Sequence, residues 1–355
     1  MNRKMNRIIK RIMVVVTLLL LPLTAACSQN ESAQKQMPAL DPPPFSIESA
    51  MLDGSYVAQA SANQEMLTVY LLDYNGYVAP MTLNITRSNS SNRELAEQAL
   101  SWMTVDPKRA DQLPEGFRGL IPAGTKVNTV VEDVKSGTIT IDFAAPFPGM
   151  IAANERKLLE ALVWTMTELP GVNEVNITVA GEKLKMLPLS KLPVYEVLTR
   201  SIGINVELVK GVEPARSMPV TLYFTAQSAQ GEGYLVPVTR LVERTSNRAH
   251  TTLEQLIQGP SQKGMLHASL PSDITIEKLS QLADTVEVSL RDDALLPNVD
   301  MSSNMLEALV LTMTEATGAP LVRVVMNGNE SFTDTDAKTY DQPVTRPVYI
   351  NQLMQ

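Results

Sequence analysis

Cysteine, histidine and aromatic residues are scarce in this chain of 355 residues, and each shortage excludes a class of function. The one cysteine, Cys27, cannot form a disulfide within the chain. The two histidines, His250 and His267, lie in no metal-binding or nucleophile motif, and the sequence contains no Walker loop. Aromatic residues make up 5% of the chain, which disfavours a carbohydrate-binding platform. The sequence therefore predicts no cofactor and no metal site.

Residues 1–26 have the pattern of a secretory signal peptide. Five basic residues precede an apolar run, Ile12–Leu23, that is too short for a comfortable membrane span. Thr24-Ala-Ala-Cys27 follows, and it resembles a lipoprotein cleavage site. An unmodified thiol is the alternative, but the position of Cys27 directly after the apolar run favours acylation, for example by palmitate. We expect a chain anchored by lipid at the outer, extracytoplasmic face of the cell membrane.

The charge balance narrows the choice of partners. Removal of residues 1–26 leaves 25 lysines and arginines against 38 acidic residues, a net charge of −13. This charge argues against nucleic acid and against flat docking on anionic lipid, so the acyl chains alone should contact the membrane. Residues 27–62 are polar and include Asp41-Pro-Pro-Pro44, which predicts an extended stalk.

An internal repeat organises the rest of the sequence. Leu159–Glu168 returns as Leu306–Glu315, 147 positions later, with nine of ten residues identical. Shorter matches before and after these segments keep the same order. We therefore predict two tandem homologous domains, residues 63–208 and 214–352, of which the first carries an insertion around Val105–Arg118.

Within each repeat the pattern predicts strand, strand, helix, strand, strand, helix, strand. Ser91-Asn-Arg-Glu94 is a capping box that starts the first helix. Each repeat closes with the motif Thr-Arg-x-x-x-Ile-Asn, at Thr199–Asn205 and at Thr345–Asn351. The fold class predicted for each domain is α+β, a small mixed sheet with two helices on one face.

The lipidation site, the stalk and the repeated Leu-Glu-Ala-Leu-Val-x-Thr-Met-Thr-Glu helix together resemble the GerM family of sporulation and germination lipoproteins, which carry two GerMN domains. The resemblance implies a fold like the ring-building modules of secretion systems. It also implies protein partners in a sporulation channel complex, with a homo-oligomer or ring as one arrangement. It supplies no catalytic residues.

An enzyme acting on the peptidoglycan of the spore cortex, or an accessory factor for its hydrolysis, is the alternative function. The carboxylates that recur in both repeats are Glu160 with Glu168 and Glu307 with Glu315. Each pair is separated by about 12 Å along its helix, farther apart than glycosidase carboxylates usually are, and we expect all four to be solvated. A solute-binding lipoprotein would need two α/β lobes with a cleft. The sequence therefore favours a scaffold over an enzyme.

One repeated oddity suggests a partner-binding surface. Trp164 lies opposite the apolar stripe of the second helix, and its counterpart in the other repeat is Leu311. Glu168 and Glu315 lie beside them at the rim. The first interpretation is that this outer face binds a partner. The second is that it is covered from within by the other domain, the insertion or the stalk.

Overall fold

The computed structural model describes residues 64–86, 91–147, 151–209, 211–261, 264–295 and 300–352. They belong to one compact unit, Ala60–Gln355. The predicted signal peptide, Cys27 and the stalk lie outside the described residues. Within the described ranges, no helix is long and apolar enough to cross a membrane.

The first repeat begins with an antiparallel hairpin, continues into a helix, and ends in a mixed sheet that holds the second helix. Ser91 caps the first helix as predicted, because its hydroxyl accepts a hydrogen bond from the amide of Glu94 (3.3 Å). The elements in chain order are β1 (Gln64–Leu72), β2 (Val78–Thr86), α1 (Asn92–Met103), β3 (Val127–Asp133), β4 (Thr138–Phe143), α2 (Ala152–Met166), β5 (Glu174–Val179) and β6 (Glu182–Lys183).

The second repeat builds the same order after a short linking strand, β7 (Glu207–Leu208), which pairs in parallel with β9. The remaining elements are β8 (Ser217–Gln227), β9 (Gly233–Glu243), α3 (Arg248–Gln258), β10 (Thr275–Leu282), β11 (Thr285–Arg291), α4 (Ser303–Thr317), β12 (Leu321–Met326) and β13 (Val344–Thr345). Short 3-10 turns lie at Ala110–Gln112, Arg200–Ile202 and Pro214–Arg216.

Both repeats share one sheet topology. The order is β3-β4-β5-β6 in the first and β10-β11-β12-β13 in the second. The middle pair of strands is parallel in each sheet and is connected through α2 or α4, while the outer pairs are antiparallel. The predicted α+β fold class is confirmed. One detail differs from the prediction: β1–β2 forms a separate two-stranded sheet, and β8–β9 pairs with β7 and not with the mixed sheet.

Helices α2 and α4 occupy the centre of their repeats. In α2 every residue from Leu158 to Met166 is buried, and α4 is nearly as enclosed. The hydroxyl of Thr165 accepts a hydrogen bond from the amide of Tyr70 in β1 (2.9 Å), and Thr312 does the same for Tyr223 in β8 (3.1 Å). The two threonines thus join each central helix to the backbone of a hairpin strand.

Candidate functional site

Trp164 is fully buried, which corrects the expectation of an exposed outer face. Its indole Nε1 donates a hydrogen bond to the carbonyl of Gly203 (3.3 Å), and its ring centroid lies 5.6 Å from that of Tyr70. The guanidinium of Arg200 lies over the indole, 4.6 Å from the ring centroid. The physical reason is that the closing motif Thr199–Asn205 folds back over α2.

Leu311 is also fully buried, so the expectation of an exposed contact residue is wrong for it as well. Ile350, from the closing motif of the second repeat, belongs to the same buried cluster. The other members of that cluster are Tyr223, Leu235 and Ala308. This face of both helices is therefore covered from within the chain, but the cover is the closing motif of the same repeat, which the second interpretation did not name.

Glu168 and Glu315 meet in a ring of four charges between the repeats. The carboxylate of Glu168 lies 2.6 Å from Arg200 and 3.4 Å from Arg346. The carboxylate of Glu315 lies 2.6 Å from Arg200 and 3.1 Å from Arg346. Each arginine thus contacts one glutamate of its own repeat and one of the other repeat. Positive and negative side chains therefore alternate around the ring.

Two fully buried tyrosines, Tyr70 and Tyr223, contact this charge ring. The phenol of Tyr70 donates a hydrogen bond to Glu168 (3.0 Å), and Arg346 donates one to the phenol oxygen of Tyr223 (3.2 Å). Burial raises the pKa of Tyr223 to about 12. Burial also opposes ionisation of Glu168, but Arg200 and Arg346 outweigh it and hold the pKa of that carboxyl below its ordinary range. The glutamate is therefore ionised and paired at neutral pH.

The closing motifs also cross between the repeats through their isoleucine and asparagine. The backbone of Ile204 pairs with Thr239 in β9, through both the amide and the hydroxyl of the threonine. The backbone of Ile350 pairs with Thr82 in β2 in the same manner. Each closing motif therefore adds a short backbone connection to the hairpin of the other repeat.

The two asparagines bridge β2 and β9, which lie side by side. Asn205 accepts from the amide of Val78 and donates to the carbonyls of Val78 and Pro237. Asn351 makes the mirrored set with Leu235 and Pro80. Proline has no amide hydrogen, so β2 and β9 cannot form a full ladder at Pro80 and Pro237, and the side-chain amides serve instead.

This pairing pattern is that of a two-fold dimer built within one chain. In the charge ring and in the contacts of the two isoleucines and asparagines, each contact from the first repeat to the second has its reverse, as in an isologous interface. The hydrogen bond from Tyr234 to Asp73 (2.7 Å) joins the repeats without such a counterpart in the described residues. The four residues that the sequence predicted as partner-binding, Trp164, Glu168, Leu311 and Glu315, thus lie at or beside one interface. Glu168 and Glu315 each contact an arginine of the other repeat there, whereas Trp164 and Leu311 contact the closing motif of their own repeat.

One family model matches the chain twice, over residues 68–185 and 221–332, once in each repeat. Its description is sporulation and spore germination. The chain belongs to the Germane family. The resemblance to GerM-type proteins that the helix motif indicated is therefore confirmed.

Similar proteins agree with this membership. The spore germination protein GerM of Bacillus subtilis (strain 168) is 29% identical over 310 residues, which span 86% of this chain and 82% of that protein. The solved tandem GerMN domains of the sporulation protein GerM from Bacillus subtilis superpose with a TM-score of 0.73 at 30% identity. That match covers 81% of this chain and 99% of the solved chain. The Germane-family chain described here thus carries tandem GerMN domains.

The arginines and asparagines of the closing motifs are the interface residues that the sequence interpretation missed. The signal was present, because Thr-Arg-x-x-x-Ile-Asn recurs at the end of both repeats. Sequence separation hid the pairing, since Arg200 lies 115 positions from Glu315 and Arg346 lies 178 positions from Glu168. A repeated arginine on a short terminal motif gives no indication of which carboxylate it faces.

The recurring carboxylates are not solvated as the sequence predicted, and they face no common cleft. Glu160 is buried, where it accepts hydrogen bonds from Arg156 (2.8 Å) and from the amide of Asn205 (3.1 Å). Glu307 is partly buried, and burial raises its pKa to about 7. Glu168 and Glu315 belong to the charge ring. In the described part of the chain, no group of histidine, cysteine or acidic residues could hold a metal ion.

Proposed function

We propose that this Germane-family chain is a membrane-anchored extracytoplasmic scaffold that assembles a sporulation channel complex and so acts in spore formation and germination. The observation that carries the proposal is the inter-repeat interface. It joins two GerMN domains into one body, so the chain can present two modules in a fixed relation to partners. The name of GerM, a spore germination protein, supports the biological setting.

A non-enzymatic role is part of the proposal. The carboxylates that a cortex hydrolase would need recur in both repeats, but Glu168 and Glu315 are ion-paired with arginines. The surroundings of Glu160 and Glu307 differ from each other. Glu160 is paired with Arg156, whereas the equivalent of Arg156 beside Glu307 is Ser303. A duplicated hydrolytic site would need the same acid and second carboxylate in each copy, at a separation that spans a glycosidic bond.

The test combines cells and purified protein. In a sporulating strain that lacks the native gene, a tagged copy should restore the yield of heat-resistant spores and should crosslink to other sporulation membrane proteins. The purified protein should release no muropeptides from spore cortex or vegetative wall. Muropeptide release that disappears in Glu160→Gln or Glu307→Gln would establish the hydrolase instead. Normal spore yield without the gene would contradict the sporulation role.

A further inference from the structure

Each repeat ends in a small hairpin, and the two hairpins pair alike at their bases but differ by one residue in the turn. In the first, residues 185–194, Val194 donates its amide to the carbonyl of Lys185 (2.9 Å) and Met186 bridges to Pro193. In the second, residues 332–340, Tyr340 donates to Phe332 (2.8 Å) and Thr333 bridges to Thr339. A residue with positive φ turns each chain, Lys191 (58°) in the first and Ala337 (63°) in the second.

The first terminal hairpin is held from beneath by polar contacts. The buried carboxylate of Glu155, in the first turn of α2, accepts the amides of Leu189 (2.8 Å) and Ser190 (2.6 Å). Leu187 is the buried apolar anchor. The tip therefore has a fixed shape that does not depend on its outward side chains.

Those outward side chains are apolar in the first hairpin and polar in the second. Met186, Leu189 and Leu192 are all exposed, as are Tyr195 (73%) and Val197 just beyond. The second hairpin has Thr333 and Lys338 at the positions that pair like Met186 and Leu192, and its turn is one residue shorter, with Thr335 and Asp336 opposite the segment that holds Leu189. Because Met186, Leu189 and Leu192 are exposed, they contribute little to the buried core of the first repeat. Their exposure points to a contact outside the chain.

Charge distinguishes the same two hairpins. Exposed lysines flank the apolar tip at Lys183, Lys185 and Lys191. Lys183 pairs with Glu196, while neither Lys185 nor Lys191 forms an ion pair with a described carboxylate. The surroundings of the second hairpin are acidic, with Glu330, Asp334, Asp336 and Asp341. Lys185 and Lys191 are the charged residues of the hairpin itself, whereas Glu182 and Glu196 adjoin its base beside Lys183, and Glu155 interacts electrostatically with Lys191.

We infer that residues 183–197 form a second membrane contact, in which Met186, Leu189 and Leu192 enter the interfacial layer of a phospholipid bilayer. Tyr195 and the lysines Lys185 and Lys191 would lie at the level of the headgroup phosphates, the position that such amphipathic side chains favour. Apolar residues ringed by lysine and tyrosine are typical of interfacial insertion. This inference revises the expectation that acyl chains alone contact the membrane. It rests on the membrane location of the proposed function.

The test uses residues 60–355, the compact unit that carries both cores, so that neither the signal peptide nor the acyl anchor contributes. Binding is measured by flotation with vesicles of phosphatidylglycerol and phosphatidylcholine in equal parts. The triple variant Met186→Thr/Leu189→Asp/Leu192→Lys replaces the three apolar side chains with polar ones and should bind about tenfold more weakly or worse. The matched control Val134→Thr/Leu282→Lys changes two exposed apolar residues at other hairpin turns and should bind like the wild type.

A second readout does not depend on the folding of the triple variant. Tyr195→Trp should show blue-shifted emission when vesicles are added, and Leu282→Trp should not. Absent vesicle binding by the wild-type unit, or equal binding by the triple variant, would overturn the inference. A shift of Tyr195→Trp emission only on addition of a protein from sporulating cells would assign the surface to a protein partner and also overturn it. All these outcomes are independent of the spore-yield test.

Discussion

Arg200 and Arg346 decide whether the partly buried glutamates between the two repeats, Glu168 and Glu315, are tolerated. Each guanidinium is opposite two carboxylates, and the four side chains are only 17–24% exposed. Arginine suits this place because its planar fork can serve two acceptors while it stacks on an aromatic ring. Lysine would supply the positive charge, but its ammonium group lacks the planar fork and cannot stack on the ring in the same way.

We predict that Arg200→Ala lowers the free energy of unfolding by on the order of 3 kcal/mol, because it leaves Glu168 and Glu315 facing each other with one cation between them. Chemical denaturation at neutral pH measures the loss. Arg93→Ala is the control, since Arg93 and Glu97 form an exposed helical pair, and it should cost about 0.5 kcal/mol or less. Equal effects of the two substitutions would show that the charge ring contributes no more than a surface pair.

Glu307 should make stability fall as pH rises from about 4.5 to about 7. Its pKa is raised to about 7 in the folded chain, chiefly by burial, with an ordinary value of 4.5. The folded state therefore holds this proton more tightly than the unfolded state, so stability is lost between those two values. Glu307→Gln should raise the free energy of unfolding at pH 8 by on the order of 2 kcal/mol and leave it unchanged at pH 4. A gain of the same size at both pH values would contradict this assignment.

At the scale of elements, the sequence predicted the order of strands and helices and the capping of α1. The hydrophobic periods and the capping box are local signals, and repetition in two copies reinforced them. It did not predict the cover over α2 and α4, because a short closing motif has no periodicity. One clue was available: Leu158–Met166 is apolar almost all round, which is typical of a helix buried on every side. Trp164 is the strongest case of that pattern.

The contacts between elements lead us to expect that the two repeats unfold together and not as independent domains. Both tryptophans, Trp102 and Trp164, lie in the first repeat and report on it alone. Leu309→Ala, in α4 of the second repeat, should cost about 2–5 kcal/mol and should shift the tryptophan-monitored transition by the same amount. The control is Leu162→Ala in α2 of the first repeat. It must shift the tryptophan-monitored transition whether the repeats unfold together or separately. An unchanged tryptophan transition in Leu309→Ala would mean that the repeats unfold separately.

At the scale of the whole molecule, membrane attachment is predicted to depend on Cys27, which precedes the stalk. In cells, the wild-type chain should fractionate with membranes. Cys27→Ser should appear in the soluble fraction or retain its signal peptide, because it lacks an acyl chain worth roughly 0.8 kcal/mol per buried CH₂. Immunoblots of the soluble and membrane fractions measure where the chain is found, and its size shows whether the signal peptide has been removed. Mature-sized chain that carries Cys27→Ser together with Met186→Thr/Leu189→Asp/Leu192→Lys and still stays wholly with the membrane would remove the lipid anchor from the account.

The central claim is that the two GerMN domains form one body through their own closing motifs. The linker between Leu208 and Pro214 offers the most direct test, because a protease site inserted there lets the connection be cut after folding. Size-exclusion chromatography of the cut chain should show both halves in one peak at the position of the uncut protein. Separation of the halves into two smaller peaks under native conditions would contradict the claim.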